Sequence, residues 1–355
     1  MTYLNNASVG IPPARMSSAI QKYLEDRAVV RRDFEDTLAL FKDVRNKLAR
    51  LLGGKRNQYG LVPSTSAGLN AIAHSIAYPA GSNVVICDLE FPANYIPWQN
   101  VKQAHGAELR VVESADGAVP TEQFAKAVDE NTRVLAVSLV QFGTGYKSNL
   151  EELGKIIHAV GGYLVVDIIQ AAGCLDIDLV HSNVDFAAGQ SAKWLIGPIG
   201  AGYVYADESV VEEVQPITAG WWGVEDLVDF TYRERKPLPD ARRFQGGSLA
   251  MMGYVGFRES LDVLLELNAK AREQAALDCA DYLRKRLREE EIDYYGFDEE
   301  NRSAIVSCTP ENPEILNEKL NEHRVYCSVR NGRLRVSPHF YNTRHDIDTL
   351  MRYVV

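Results

Sequence analysis

Tyr163-Leu164-Val165-Val166-Asp167 is an apolar run that ends in a carboxylate. Two similar runs precede it, Asn83–Cys87 and Val134–Ser138, and the runs are separated by helical patterns over residues 93–105, 121–129 and 149–160. Apolar strands that alternate with helices predict a mainly parallel sheet covered by helices on both faces, as in doubly wound α/β folds. Ligands bind such folds at the carboxyl ends of the strands, and Asp167 lies at one of these ends.

Outside these strands, residues 17–52 form a long helical pattern, and a second one covers residues 249–291. The second leads into apolar runs that predict a small α+β unit, with strands at 304–308, 325–329 and 334–336 and a helix at 312–322. With 355 residues, the chain is longer than one hydrophobic core usually serves. We therefore expect a large domain and a smaller one.

Composition narrows the classes of protein to consider. The formal net charge is -10 and charges of both signs are interspersed, which argues against a nucleic-acid partner. The first residues do not resemble a signal peptide, and no apolar run is long enough to span a membrane, so we expect a cytoplasmic protein. Five scattered cysteines without CxxC spacing predict reduced thiols and no metal site.

A lysine in a small-residue segment is the first candidate for chemistry. Lys193 stands between residues 187–192, most of which are small, and the glycine-rich turn 197–202. Such a lysine suits a Schiff base with a cofactor aldehyde, although most lysines are ordinary solvated side chains. Asp167 could keep a pyridine nitrogen protonated, with Gln170 donating to the phenolic oxygen of the ring. The alternative is an aspartate that caps the next helix.

A helix start offers a site for phosphate. Ser64, Thr65 and Ser66 open a helical pattern and supply hydroxyls and free backbone amides, a combination that binds anions. An ordinary Ser/Thr cap is the simpler explanation of these residues. No Walker lysine follows them, which argues against a nucleoside-triphosphate site.

Together, these segments resemble the class V aminotransferase family, enzymes of fold type I that use pyridoxal 5'-phosphate (PLP). The resemblance covers nearly the whole chain and rests on motifs that occur in the family's order: Tyr3–Ala7, Thr65-Ser66 with Asn70, Asp167-Ile168-Ile169-Gln170, Lys193, Arg243–Ser248 and Leu334–Thr343. It implies a large domain over residues 17–258 that carries PLP, and a small α+β domain made from residues 1–16 and 259–355.

The resemblance also implies roles for single residues. Lys193 would carry PLP as a Schiff base, and Arg335 would hold the substrate carboxylate, with Asn6 beside the substrate. The family forms homodimers with composite active sites, in which the hydroxyl of Ser248 would reach the phosphate in the neighbouring subunit. The residues expected to bind the cofactor are Thr65, Ser66, Phe91, Asp167, Gln170, Gln190, Lys193 and Ser248.

Within the family, residues 87–99 resemble the cysteine desulfurase and selenocysteine lyase pattern, but the histidines of that pattern are absent, and so is the histidine that precedes the lysine in the desulfurases. Phe91 takes the place of the histidine that stacks on PLP and moves protons, and Ala192 replaces the histidine before the lysine. Phe91 could instead be a plain core aromatic. Only Cys327 lies near Arg335, inside an apolar run, which favours a structural cysteine over a persulfide-forming one.

Residues 220–226 and 328–340 resemble the isopenicillin N epimerase-like branch instead. We therefore expect a PLP enzyme that acts on an amino acid through Lys193, by transamination, epimerisation or lyase chemistry. One alternative is a cysteine desulfurase or cysteine lyase that releases sulfur from L-cysteine. The other is a catalytically silent PLP-fold protein that serves as a binding partner.

Overall fold

A computed structural model describes residues 1–31, 33–231 and 233–355 of the chain. The strands are β1 Thr2–Tyr3, β2 Tyr59–Val62, β3 Asn83–Cys87, β4 Glu108–Val112, β5 Thr132–Ser138, β6 Tyr163–Asp167, β7 Phe186–Gln190, β8 Gly202–Ala206, β9 Val306–Cys308, β10 Val325–Tyr326, β11 Ser328–Arg330 and β12 Arg333–Val336. The helices are α1 Ala14–Ala28, α2 Phe34–Leu52, α3 Thr65–Ala73, α4 Pro92–His105, α5 Thr121–Ala127, α6 Leu150–His158, α7 Met251–Leu265, α8 Ala269–Glu289, α9 Pro313–Glu322 and α10 Arg344–Val354.

The central sheet has seven strands in the order β2-β8-β7-β6-β5-β3-β4. Strands β3 to β7 run parallel to one another, and β8 runs antiparallel to both β7 and β2. The predicted mainly parallel α/β sheet is confirmed. Every residue of β3 and β6 is buried, as expected for strands covered by helices on both faces.

Two predicted helical regions are each divided in the structure. The pattern over 17–52 forms α1 and α2, and Asp33 begins α2 by a capping box with Asp36. The pattern over 249–291 forms α7 and α8, and the Asn268 side chain caps α8 by accepting from Ala271 N at 3.1 Å. The helical character predicted for both regions is present, and each region is divided into two helices because polar capping residues start a new helix inside a continuous apolar periodicity.

The two ends of the chain come together beside the central sheet. Strand β1 pairs with β10, and Asn5 forms a bridge with Ser337. Strands β11, β12 and β9 form an antiparallel sheet that shares an apolar core with α8, α9 and α10. The predicted α+β unit is present, and the residue bounds given to the two domains stay a prediction. Within the described residues, no helix combines the length and apolar character needed to cross a membrane.

Candidate active site

Lys193 lies in the turn that follows β7, at the carboxyl edge of the parallel strands. The N-terminal segment holds this turn, because Gly10 N donates to Ala192 O at 2.8 Å. A Cβ atom on Gly10 would lie 2.1 Å from the carbonyl oxygen of Lys193, so only glycine permits this approach. Burial lowers the pKa of the Lys193 amine, and the charges of Arg335 and Arg330 lower it further, against the opposing effect of Asp167.

Asp167 ends β6, beside the Lys193 turn. Its Oδ1 accepts from Ile169 N at 2.9 Å, whereas the buried Oδ2 has no hydrogen-bond partner in the described chain. Burial raises the pKa of this carboxyl, and the Ile169 amide and the Lys193 charge oppose that shift. An unpaired buried carboxylate oxygen is costly, so Oδ2 is suited to a protonated nitrogen of a bound group.

The Phe91 ring lies beside the Lys193 amine. The distance from Lys193 Nζ to the ring centroid is 5.5 Å, and the ring meets Phe142 edge-on with centroids 5.0 Å apart. Phe91 is 41% exposed, so the alternative of a plain core aromatic does not describe it. The residue before it, Glu90, is buried and accepts from Ser138 N at 2.8 Å. Sequence reasoning gave Glu90 no role, although it fixes the start of α4.

The start of α3 matches the predicted phosphate site in its geometry. Ser64 caps the helix by accepting from Ala67 N at 3.1 Å, so the capping alternative holds for Ser64. Thr65 is buried and its Oγ1 has no partner among the residues described, while Ser66 is exposed. The backbone at Gly202 approaches this helix start closely, since a Cβ on Gly202 would lie 2.9 Å from Ser64 N. The hydroxyl of Thr65 and the helix start suit a phosphate.

The other predicted cofactor residues lie at different distances from this centre. Gln170 joins the centre to the N-terminal segment, since Nε2 donates to Ala7 O at 3.0 Å and Oε1 accepts from Trp194 Nε1 at 2.8 Å. Gln190 ends β7 and is half-buried. Ser248 is exposed, and no hydrogen bond is recorded for it within the described chain. The roles predicted for these residues stay predictions.

Arg335 is buried on β12. Its guanidinium donates from Nη2 to Ser8 Oγ at 2.7 Å, from Nη1 to Phe142 O at 2.9 Å and from Nε to Ser328 Oγ at 3.3 Å. Burial lowers the pKa of Arg335 to about 9. Asn6 lies near the same segment and donates to Ser337 O at 2.8 Å. Arg335 thus reaches the Phe91–Phe142 pair, and its predicted role in holding a carboxylate stays a prediction.

All five cysteines of the chain are buried. Cys327 lies in the apolar core of the small sheet, with Leu334 and Leu320, and burial raises the pKa of its thiol. Buried, protonated thiols are poor nucleophiles. The surroundings of Cys327 therefore support the interpretation that it is a structural cysteine.

The residues present fit PLP. Asp167 Oδ2 and Thr65 Oγ1 are both buried and without a partner in the described chain, and they are the atoms assigned to the two polar ends of the cofactor, its pyridine nitrogen and its phosphate. The Lys193 amine and the Phe91 ring lie on the same carboxyl edge of the sheet. Because the pyridine nitrogen and the phosphate each have a counterpart, the residues at the two ends of the site fit the cofactor.

Comparison with known proteins places this geometry in a family. The model of the family "Aminotransferase class-V" matches residues 2–350. An uncharacterized aminotransferase, YcbU of Bacillus subtilis, is 28% identical, with 98% of this chain and 93% of that protein covered. A probable cysteine desulfurase of Methanothermobacter thermautotrophicus is 26% identical (98% and 92% covered), and the isopenicillin N epimerase of Streptomyces clavuligerus is 28% identical (98% and 92%).

Solved structures agree on the fold. A C-DES variant with glycine covalently linked to its PLP cofactor superposes with a TM-score of 0.90 at 21% identity, covering 99% of this chain and 96% of that one. The fold type I prediction and the resemblance to class V aminotransferases are thereby confirmed. The matched family model spans the fold, the Asp167–Lys193 centre and the Arg335 strand alike, and the chain belongs to the class V aminotransferase family.

Proposed function

We propose that the chain is a PLP-dependent enzyme in which Lys193 carries the cofactor and moves the α-proton of an amino-acid substrate. The observation that carries the proposal is the buried, unpartnered Asp167 Oδ2 at the strand end beside the Lys193 turn. When bound, PLP withdraws electrons from the α-carbon of the substrate and makes its proton acidic. Asp167 supports this by keeping the pyridine nitrogen protonated.

The other residues of the site would bind and orient the cofactor and the substrate. Thr65 and Ser66, with the free amides of α3, would hold the phosphate, and the exposed Phe91 ring would cover one face of the cofactor. Gln170 would lie near the phenolic oxygen, and Arg335 would bind the α-carboxylate by a charge-assisted pair.

The residues beside Lys193 leave proton transfer to the lysine alone. Phe91 and Ala192 carry no titratable group, so neither can share proton transfer with the lysine. Burial lowers the pKa of Lys193, which leaves more of its amine unprotonated near neutral pH. One base of this kind serves transamination, epimerisation or elimination, and the substrate decides among them.

The lysine assignment has a direct test. Borohydride reduction of the holoenzyme followed by peptide mass spectrometry should place the pyridoxyl group on the peptide that contains Lys193. Lys193→Ala should abolish this label, and the exposed control Lys55→Ala should keep it. A label on any other lysine would refute the assignment.

Proton transfer is tested by exchange. NMR of a panel of amino acids in deuterated water should show loss of the α-proton signal with the wild type and none with Lys193→Ala. If no amino acid exchanges although PLP binds, the catalytically silent alternative is correct.

A cysteine desulfurase or cysteine lyase is the second candidate, favoured by relatives that carry the name cysteine desulfurase. Sulfide release from L-cysteine would support it. Because Cys327 is buried in an apolar core, we expect Cys327→Ala to release sulfide at the wild-type rate, which would exclude a persulfide on Cys327 and leave direct lyase chemistry. Loss of release in that variant would instead favour a persulfide on Cys327.

The proposal includes a homodimer in the cytoplasm. Large apolar side chains are exposed on the two segments beside Ser248, with Ile199 74% and Met252 48% exposed, which is typical of a surface that a second copy covers. Ser248 is exposed near them and would reach the phosphate of a second copy. Five buried thiols suit a reducing compartment.

A further inference from the structure

Three arginines lie on the hairpin of β11 and β12, and they differ in their partners. Arg333 pairs with Asp293 at 2.9 Å, and its guanidinium carbon stacks 4.0 Å from the centroid of the Tyr295 ring. Neither Arg330 nor Arg335 forms an ion pair with a carboxylate in the described part of the chain. Their recorded partners are hydroxyl and carbonyl oxygens only. Two guanidinium charges therefore stay uncompensated at one place.

The two guanidinium groups converge on one hydroxyl. Arg335 Nη2 donates to Ser8 Oγ at 2.7 Å, and Arg330 Nη2 donates to the same atom at 3.3 Å. Ser8 is neutral and cannot balance either charge. Like charges this close repel each other, and an anion bound between them would relieve the repulsion. Arg335 is buried, so its charge is costly without a negative partner.

The pair belongs to the Lys193 site. Both arginines act on the charge of the Lys193 amine. Arg335 also donates to the carbonyl oxygen of Phe142, whose ring contacts Phe91 beside that amine. A substrate that reaches Lys193 therefore meets two arginines that have no acidic partner among the described residues. The charge of Asp167 opposes the effect of the two arginines on the Lys193 amine, and we have assigned Asp167 to the cofactor.

We propose that Arg330 and Arg335 together bind an amino acid with two acidic groups: Arg335 takes the α-carboxylate, and Arg330 takes a carboxylate or similar oxyanion on the side chain. This inference rests on the proposed function and adds the substrate class to it. One carboxylate would neutralise one arginine and leave the other beside the Lys193 amine. Two acidic groups neutralise both, and each gains charge-assisted hydrogen bonds.

The test uses carboxylates that lack an amine and cannot react. Isothermal titration of the PLP-loaded enzyme should show that glutarate binds about tenfold more tightly than butyrate, as one added charge-assisted hydrogen bond gives. Arg330→Gln should remove this advantage and leave butyrate binding unchanged. Arg335→Gln should weaken both ligands.

Two further variants serve as controls. Arg333→Gln removes an arginine of the same hairpin that already has an acidic partner, and it should leave the glutarate preference intact. Arg330→Lys keeps the charge and should retain part of the preference, which separates loss of charge from damage to the fold. Equal binding of glutarate and butyrate by the wild type, or equal weakening of both by Arg330→Gln, would overturn the inference.

The two proposals fail in different experiments. If α-proton exchange occurs but glutarate has no advantage, the function stands and the acidic substrate class is wrong. If glutarate shows the Arg330-dependent advantage but no amino acid exchanges its proton, the anion pair is real and the catalytic proposal is wrong.

Discussion

Asp167 and Lys193 oppose each other's response to burial. Burial favours the neutral form of both side chains, raising the pKa of Asp167 and lowering that of Lys193, while their mutual attraction favours the charged forms. As a result, small changes in the charge around the pair decide whether Asp167 and Lys193 are protonated. Residues with such opposed shifts are typical of catalytic centres.

Asp167→Asn tests the carboxylate. The amide has the same shape but cannot hold a protonated pyridine nitrogen, so the turnover number should fall by about two to four orders of magnitude, as for loss of an acid–base group. PLP should still bind, because Lys193 and the α3 site remain. Turnover and bound PLP are measured on the same preparation. A variant with full turnover would exclude this role, and Asp207→Asn, at a hydrogen-bonded carboxylate outside the site, is the matched control.

The pH dependence of PLP uptake tests the lysine. Only the unprotonated amine reacts with an aldehyde, so the rate of uptake by the apoprotein should rise with pH through the Lys193 pKa. Because that pKa is lowered, the midpoint should lie below the ordinary lysine value of about 10.4. Arg330→Gln removes a nearby positive charge and should move the midpoint to higher pH. Stopped-flow absorbance gives the rates, and a midpoint that stays fixed would contradict the coupling.

Single residues differed in how far the sequence could predict them. Lys193 and Asp167 could be predicted because each belongs to a local pattern. Lys193 lies in a turn of small residues, and Asp167 lies at a strand end. Arg330 was quoted in a motif but received no role, because its significance lies in Ser8, which is 322 positions away in the chain. Shared partners of this kind are visible only after folding.

At the scale of elements, the segment after β12 fixes the Lys193 turn. His339 is fully buried, and its Nε2 lies 2.8 Å from the carbonyl oxygen of Trp194. Phe340 N donates to Nδ1 at 2.8 Å, so Nδ1 accepts and Nε2 carries the proton. The neutral ring thereby joins the small sheet to the residue next to Lys193. Burial lowers the pKa of His339 to about 4.

This histidine should make the fold sensitive to acid. In the unfolded chain it takes up a proton near pH 6.5, but in the folded state only near pH 4, so its contribution to stability is present above pH 6.5 and lost as pH falls. Between pH 7 and 4.5 the loss should be roughly 2–3 kcal/mol. In His339→Gln this part of the pH dependence should disappear.

Denaturant unfolding of both proteins at one protein concentration measures the difference. His181→Gln is the control, because the His181 side chain is 80% exposed and should leave the profile unchanged. The difference in free energy of unfolding between the wild type and His339→Gln could instead stay constant from pH 7 to 4.5. That result would mean that His339 takes up its proton equally in the folded and unfolded states.

Element types followed from the sequence better than their ends did. The buried strands β3 and β6 were predicted over their full length, because both faces are covered and the run is apolar throughout. Strand β4 was not predicted: it lies at the edge of the sheet and alternates polar residues, the exposed Glu108 and the half-buried Arg110, with apolar ones. Edge strands need no apolar run, so periodicity alone does not reveal them.

At the scale of the whole molecule, exposed apolar side chains lie on the segments beside Ser248. The exposed Ser248 precedes α7, and the first turn of that helix approaches the 199–201 turn, as the 3.7 Å from an added Cβ on Gly253 to Gly200 C indicates. Ile199 and Met252 are exposed on these same two segments. A polar residue with a predicted phosphate role therefore lies among apolar side chains that no described residue covers, which suits a two-fold interface.

Subunit complementation tests this arrangement. Lys193→Ala lacks the lysine of its own site, and Ser248→Arg would block the phosphate site of its partner, so each variant alone should be inactive. In a mixed dimer, one site combines an intact Lys193 from one subunit with an intact Ser248 from the other. Mixing the variants in equal amounts under conditions of subunit exchange should restore about a quarter of the wild-type activity, because half of the dimers are mixed and each has one intact site. Light scattering should give a dimer throughout. If Ser248→Arg is inactive and stays so in the mixture although mixed dimers form, Ser248 serves its own subunit and the composite site is wrong.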